Sequence, residues 1–163
     1  MDDLQKATFA AGCFWGVQYY FDQIPGVIKT RVGYIGGQTE EPTYEEVCNN
    51  DTGHAEAVEL EFDTELVTYE TLLKHFFRMH DPTQMNRQGP DIGDQYRSAV
   101  FYHNDQQKEL ADHAKMDAQK NWKHQIVSQI IPATTFYAAE DYHQQYAEKT
   151  GRGMCHIPYQ PIG

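Results

Sequence analysis

Cysteine is scarce in this chain, with only three among 163 residues, at positions 13, 48 and 155. They form no Cys-x-x-Cys pair, and an odd number cannot all pair within one molecule, which argues against a secreted disulfide framework. Basic residues are also in deficit: 13 Lys and Arg face 24 Asp and Glu, a formal net charge of −11, with no Lys/Arg-rich run to offset it. Nucleic acid, whose phosphates such a surface repels, is excluded as a partner. Long apolar runs are missing, none approaching the roughly 18 residues of a membrane span. The start, Met1-Asp2-Asp3-Leu4-Gln5-Lys6, lacks the basic-then-apolar order of a signal peptide, so a cytoplasmic location is expected by elimination. Repeats, low-complexity stretches and linkers are absent too. One domain over 1–163 is the simplest organisation, long enough to bury roughly two thirds of its unfolded surface, with loops at the Gly/Pro-rich stretches 36–42, 81–93 and 151–163.

What is there reads as alternating strands and helices. Lys6 to Ala11 and Val27 to Ile35 are expected strands, and Val58, Leu60 and Phe62 alternate with Glu59 and Glu61, the period of a strand with one buried face. Ser98 to Tyr102, Ile126 to Ile131 and Thr134 to Tyr137 are further candidate strands. Helical spacing runs through Val17–Phe21, through Tyr69 to His80 (Leu72, Leu73, Phe76, Phe77), and through Asp105 to Lys123 behind an Asn104 cap. Glu140 to Thr150 completes the set, stopped by Gly151. This order predicts an α+β fold, a ferredoxin-like split βαβ sheet packed with helices. A long irregular coil, Gly151 to Gly163, is expected to follow on the surface and to carry Cys155.

The run Gly12-Cys13-Phe14-Trp15-Gly16 sets a lone cysteine between the first strand and the first helix, flanked by two large aromatics. In the first turn of a helix, exposed amides and the dipole favour an anionic sulfur, the nucleophilic form. A buried structural cysteine fits the same position. Glu56, in Gly53-His54-Ala55-Glu56-Ala57, shares parity with Val58, Leu60 and Phe62 and so belongs to the buried face. A carboxyl group there is held protonated and can donate to a polar substrate oxygen, unless the strand edge lets it reach water. His54 has the same parity, as a base, a ligand or simply a hydrogen-bonded structural residue. The pair His75/His80 does not stack on one helical face and has no Cys-x-x-Cys or His-x-x-x-His beside it, so a metal is set aside. Tyr44, Tyr96, Phe14 and Trp15 fall in loops or helix starts, where aromatics line pockets or half-fill the core.

Six motifs in order, Gly-Cys-Phe-Trp-Gly at 12–16, Gly-Tyr-Ile-Gly-Gly at 33–37, Thr-Tyr-Glu-Glu-Val-Cys at 43–48, Gly-His-Ala-Glu-Ala-Val at 53–58, Asp-Gln-Tyr-Arg-Ser at 94–98 and Asp-Tyr-His-Gln-Gln-Tyr at 141–146, make the chain resemble the A-type peptide methionine sulfoxide reductases. The resemblance implies that Cys13 attacks the sulfur of the S epimer of methionine sulfoxide, free or within a protein. It further implies that Phe14 and Trp15 receive the substrate methyl, that Glu56 protonates the sulfoxide oxygen with help from Tyr44 and Tyr96, and that Asp91 holds the substrate backbone N–H. By the same resemblance Cys155 resolves the sulfenic acid on Cys13 as a disulfide, which thioredoxin, or dithiothreitol in vitro, reduces; no bound cofactor is implied. A further cysteine found after the resolving one in many members is missing from Ile157 to Gly163, which implies a two-cysteine cycle. Cys48 matches a position without an essential role, and a monomer is expected. Two other functions share parts of this pattern: a redox sensor using Cys13 and Cys155 without turnover, and a cysteine hydrolase with His54 as base.

Overall fold

The computed structural model describes residues 4–48 and 52–150. Its centre is a six-stranded sheet in the order β7-β6-β1-β3-β2-β8, made of β1 (Leu4–Ala11), β2 (Val27–Ile35), β3 (Ala55–Asp63), β6 (Ser98–Tyr102), β7 (Gln129–Pro132) and β8 (Tyr137–Ala138). β1 lies antiparallel between β3 and β6, and β2 runs antiparallel to β3. With helix α1 (Phe14–Asp22) between β1 and β2, and α3 (Tyr69–Arg78) between β3 and β6, the four central strands form the expected ferredoxin-like split βαβ arrangement. Helix α4 (Asp105–Gln119) then crosses over to place β7 parallel to β6, while β8 covers the opposite edge against β2. A two-residue hairpin, β4 (Arg87–Gln88) with β5 (Asp91–Ile92), stands outside the sheet.

Alternation sorts each strand between two faces. On one, Phe9, Val58, Leu60, Phe62 and Val100 pack under the helices with Val17, Phe21, Leu72, Leu73 and Phe76. Phe9 stacks on both Phe21 and Phe76, at 5.2 and 5.3 Å between ring centroids. On the other face, Ala10, Ile35, Ala55, Ala57, Ala99 and Phe101 are covered by Ile131, Ala133 and Phe136. β3 is therefore buried on both sides over its first six residues, where its alternation predicts one. The segment 131–138 supplies the second cover, and Glu59, placed outward by its parity, is only 8 % exposed and accepts from Arg31 Nε at 2.8 Å.

Local chemistry shifts several predicted boundaries. Asn104 caps α4 as expected, accepting from the Gln107 amide, but the helix stops at Gln119 instead of Lys123. There the Gln119 side chain donates to the carbonyls of Trp122 and His124 and accepts from the Ile126 amide, satisfying a loop's polar backbone in place of further helical bonds. The expected helix 140–150 is a 3-10 turn, Asp141–His143, followed by α5 (Tyr146–Thr150). Gln145 separates them with a φ of +54°, its amide donating to the buried Gln18 side chain. The strand expected over 126–131 begins at Gln129, because Val127 donates to Pro82 and Ser128 bonds Ser98. The expected 134–137 strand pairs only at Tyr137–Ala138. The expected coil 151–163 lies outside the described residues.

One close approach is set by a glycine. A Cβ on Gly37 would lie 2.3 Å from the His54 amide nitrogen and 2.4 Å from the Thr52 carbonyl oxygen. Both are backbone atoms, so neither can rotate away. Gly37→Ala is expected to cost about 2 kcal/mol or more by overpacking, lowering the melting temperature by roughly 4–8 °C in a thermal unfolding measurement.

Candidate active site

β1 ends at Ala11, and Gly12, with φ of +95°, turns the chain into α1. This left-handed conformation is one that glycine adopts without steric cost. Cys13 consequently occupies the cap position of α1 instead of its expected first turn. It is half-buried at the helix end where amides lack intrahelical acceptors, and the first turn holds no acidic side chain to oppose an anion.

The first of those amides meets Glu56. From β3, on the helix-covered face, Glu56 reaches under α1 so that Oε1 accepts from the Phe14 amide at 3.2 Å. The residue is 1 % exposed, and Oε2 has no hydrogen-bond partner among the described residues. Desolvation dominates and pushes its pKa up to about 8; the Phe14 amide opposes the shift and the nearby charge of Asp91 adds to it. Glu56 is thus a protonated carboxyl at neutral pH, with one oxygen uncommitted among the described residues.

Rings wall the space beside Cys13. Phe14 lies 5.7 Å from Tyr34, 6.3 Å from Tyr44 and 5.3 Å from His143. Trp15 stacks on Tyr146 at 3.9 Å and donates from Nε1 to His143 Nδ1 at 2.9 Å. Tyr44 opens the short helix α2 (Tyr44–Cys48). Glu140 ties that helix to the sheet, accepting from the Tyr44 amide at 3.2 Å and from the Tyr34 hydroxyl at 3.0 Å. Partial burial raises the Glu140 carboxyl, but its own backbone amide, then the Tyr44 amide, the Tyr34 hydroxyl and His143 together outweigh it and leave it below its usual range. Tyr96 ends the 3-10 turn Asp94–Tyr96, which Arg97 fastens by donating to the carbonyls of Asp94 and Gly53. Burial first, then the charge of Glu56, pushes the hydroxyls of both Tyr44 and Tyr96 well above the usual phenol range, so both remain donors. Tyr96 is also within the electrostatic reach of Asp91 and Cys13.

Cys13, Phe14, Trp15, Tyr44, Glu56, Asp91 and Tyr96, far apart in sequence, therefore gather around the start of α1. Cys155 lies outside the described residues. A cavity of about 820 Å3 between α3 and α4, lined by Phe77, Leu110 and Trp122 among others, holds none of them.

A family model described as peptide methionine sulfoxide reductase matches residues 5–162. The chain belongs to that family. It is 57% identical over 152 residues to the peptide methionine sulfoxide reductase MsrA of Methanosarcina mazei, covering 92% of this chain and 72% of the relative. Among solved structures, reduced Mxr1 from Saccharomyces cerevisiae matches with a TM-score of 0.91 and 34% identity, covering 96% of this chain and 93% of that one. Mxr1 in complex with Trx2 matches in fold, at 24% identity and a TM-score of 0.66, over 96% of this chain and 91% of that one.

Within this reductase the remaining candidates are structural. His54 accepts from the Gly37 amide at Nδ1 and donates from Nε2 to the Thr39 carbonyl, so neither ring nitrogen is left to act as a base. His75 bonds Tyr20, and burial lowers its pKa to about 4; His80 bonds Ser98 and the Phe76 carbonyl. No group of three or more potential metal ligands occurs among the described residues. Cys48, given no role by the resemblance, borders the site: it shares a hydrogen bond with Tyr44 and feels the charge of Glu56, and burial pushes its thiol up. Sequence reasoning missed Tyr34, Arg97, Glu140 and His143 as supports of the site. Three of the four lie inside the quoted motifs, and their long-range partners supply the meaning that local pattern lacks.

Proposed function

We propose that residues 1–163 act as one reductase domain converting the S epimer of methionine sulfoxide, free or in proteins, to methionine. The observation that carries the reading is the buried, protonated Glu56 bonded to the amide that immediately follows Cys13. Sulfoxide oxygen leaves poorly until protonated, so reduction requires a thiolate and a neutral acid in one pocket, each held in that state by different surroundings. In this reading the Cys13 thiolate attacks sulfur and Glu56 gives its proton to the oxygen, with Tyr44 and Tyr96 donating to the same oxygen. Phe14 and Trp15 enclose the methyl, and Asp91 accepts from the substrate amide. The new Cys13–sulfur bond forms as the S–O bond breaks and the protonated oxygen leaves as water; water then adds to the Cys13 sulfur, the sulfur–sulfur bond breaks, methionine leaves, and Cys13 is left as sulfenic acid. Cys155 then attacks that sulfur, water departs, and a Cys13–Cys155 disulfide forms for exchange with a thioredoxin. The pairing of yeast Mxr1 with Trx2 supports this choice of reductant.

The test is methionine production from each epimer separately, first with dithiothreitol and then with thioredoxin, thioredoxin reductase and NADPH. Turnover of the S epimer alone is expected; turnover of neither would sink the enzyme and leave the redox sensor. With thioredoxin, Cys155→Ser is expected to release about one methionine per enzyme and stall as sulfenic acid, read by quenched-flow product counting and mass spectrometry. Sustained turnover in that variant would remove Cys155 as the resolving thiol.

A further inference from the structure

The motif at 141–146 contains a histidine to which the reaction above assigns nothing. His143 is 1 % exposed and lies among Phe14, Trp15, Tyr44 and Tyr142, its ring centroid 5.3, 5.5, 4.4 and 4.0 Å from theirs. Its Nδ1 accepts the Trp15 indole N–H at 2.9 Å. Indole is a donor only, so Nδ1 must carry no proton, and the neutral ring holds its proton on Nε2. That nitrogen is buried without a partner among the described residues. A buried orphan donor costs free energy, so a residue kept there at that cost is doing something that an apolar ring would not.

We infer that His143 is a positioning residue: it fixes the indole of Trp15 through a single acceptor nitrogen, and so sets the wall against which the substrate's methyl group packs. The inference rests on the reading of Trp15 as that wall. Trp15 is clamped at two points of opposite character. Tyr146 stacks on its face at 3.9 Å, which leaves the ring able to slide in its own plane, whereas the directional bond to His143 removes that freedom. Both clamps come from the 141–146 segment, which is itself pinned to β2 by Gln144 bonding the Val32 amide and carbonyl, and to α1 by the Gln145 amide on Gln18. The wall is thereby assembled from residues more than 120 positions apart. Protonating His143 would set an N–H against the indole N–H. Burial holds its imidazole below the usual range, against the opposing charge of Glu140.

Two substitutions separate the acceptor from the ring. His143→Phe keeps a stacked ring and removes the acceptor, whereas His143→Asn removes the ring and keeps an oxygen near the position of Nδ1. The readouts are the Trp15 indole signal in a proton–nitrogen correlation spectrum, assigned with Trp122→Phe, and the kinetics of S-sulfoxide reduction with dithiothreitol. His143→Phe is expected to move the indole proton upfield and to lower kcat/KM about tenfold, chiefly through KM, as for a loosened apolar pocket. His143→Asn is expected to hold the indole signal near the parent's and to recover most of the loss. A folded His143→Phe protein with the parent's indole signal and KM would overturn the inference, as would an Asn variant that matches Phe in both. The indole signal is independent of turnover, so a parent that reduces neither epimer counts against the reaction and not against the bond.

Discussion

Cys13→Ser is expected to abolish methionine formation from the S sulfoxide, by at least about 10⁴-fold, because loss of a nucleophile leaves only binding and polarisation. A serine hydroxyl at the cap of α1 stays protonated at neutral pH, and no histidine among the described residues stands ready to change that. His54 spends both nitrogens on the 37–39 loop, and His143 presents its acceptor nitrogen to Trp15. The fold should tolerate the exchange, since serine is close to cysteine in size and is a favoured residue at the cap position that Cys13 occupies. An unchanged melting curve with a dead enzyme is the expected pair of results. Residual turnover within about tenfold of the parent would remove Cys13 from the chemistry.

Glu56→Gln is expected to lower kcat by about 10²–10⁴-fold, the contribution of a positioned general acid, while peroxide still oxidises Cys13. Glutamine keeps the oxygen that accepts from the Phe14 amide, so the helix cap survives and only the proton is lost. The two proteins should also differ in pH dependence. In the parent the carboxyl rises from 4.5 to about 8 on folding. Activity that needs the protonated form is present below about pH 8 and falls by about tenfold per unit above it, whereas the glutamine variant keeps a low, flat profile in this range. Stability follows the same group. The folded state holds a proton that the unfolded chain releases between pH 4.5 and about 8, so stability is lost as pH rises through that window, by up to about 1.4 kcal/mol per unit, and the variant lacks this slope. Denaturant titrations of both proteins at several pH values read it directly. Parallel stability curves would show that Glu56 reaches solvent, the reading that the sequence alone leaves open.

These results depend on parts of the molecule that differ in how far the sequence discloses them. The alternation Val58, Leu60, Phe62 puts Glu56 on the buried face of its strand, because side-chain direction along a strand is a local property of period two. Asn104 as a cap, and the cysteine between strand and helix, are legible or nearly so for the same reason: each depends on a few consecutive residues. The boundaries that moved did so where a distant partner took the backbone bonds, as Gln18 does for Gln145 and Pro82 for Val127. Burial of Glu59 was illegible for a similar reason, since the cover over that face comes from residues 131–136.

By itself, then, the sequence determined the succession of elements, the parity of Glu56, the lone thiol at the start of α1 and, through six ordered motifs, the family. Tertiary structure alone decided that Glu56 meets the Phe14 amide, that Glu140 joins Tyr34 to Tyr44, and that His143 holds Trp15. The reason is physical: propensity and periodicity act over a few residues, whereas a hydrogen bond or a desolvated carboxyl depends on which distant segment arrives beside it. Packing of the sheet and its helices brings those segments together.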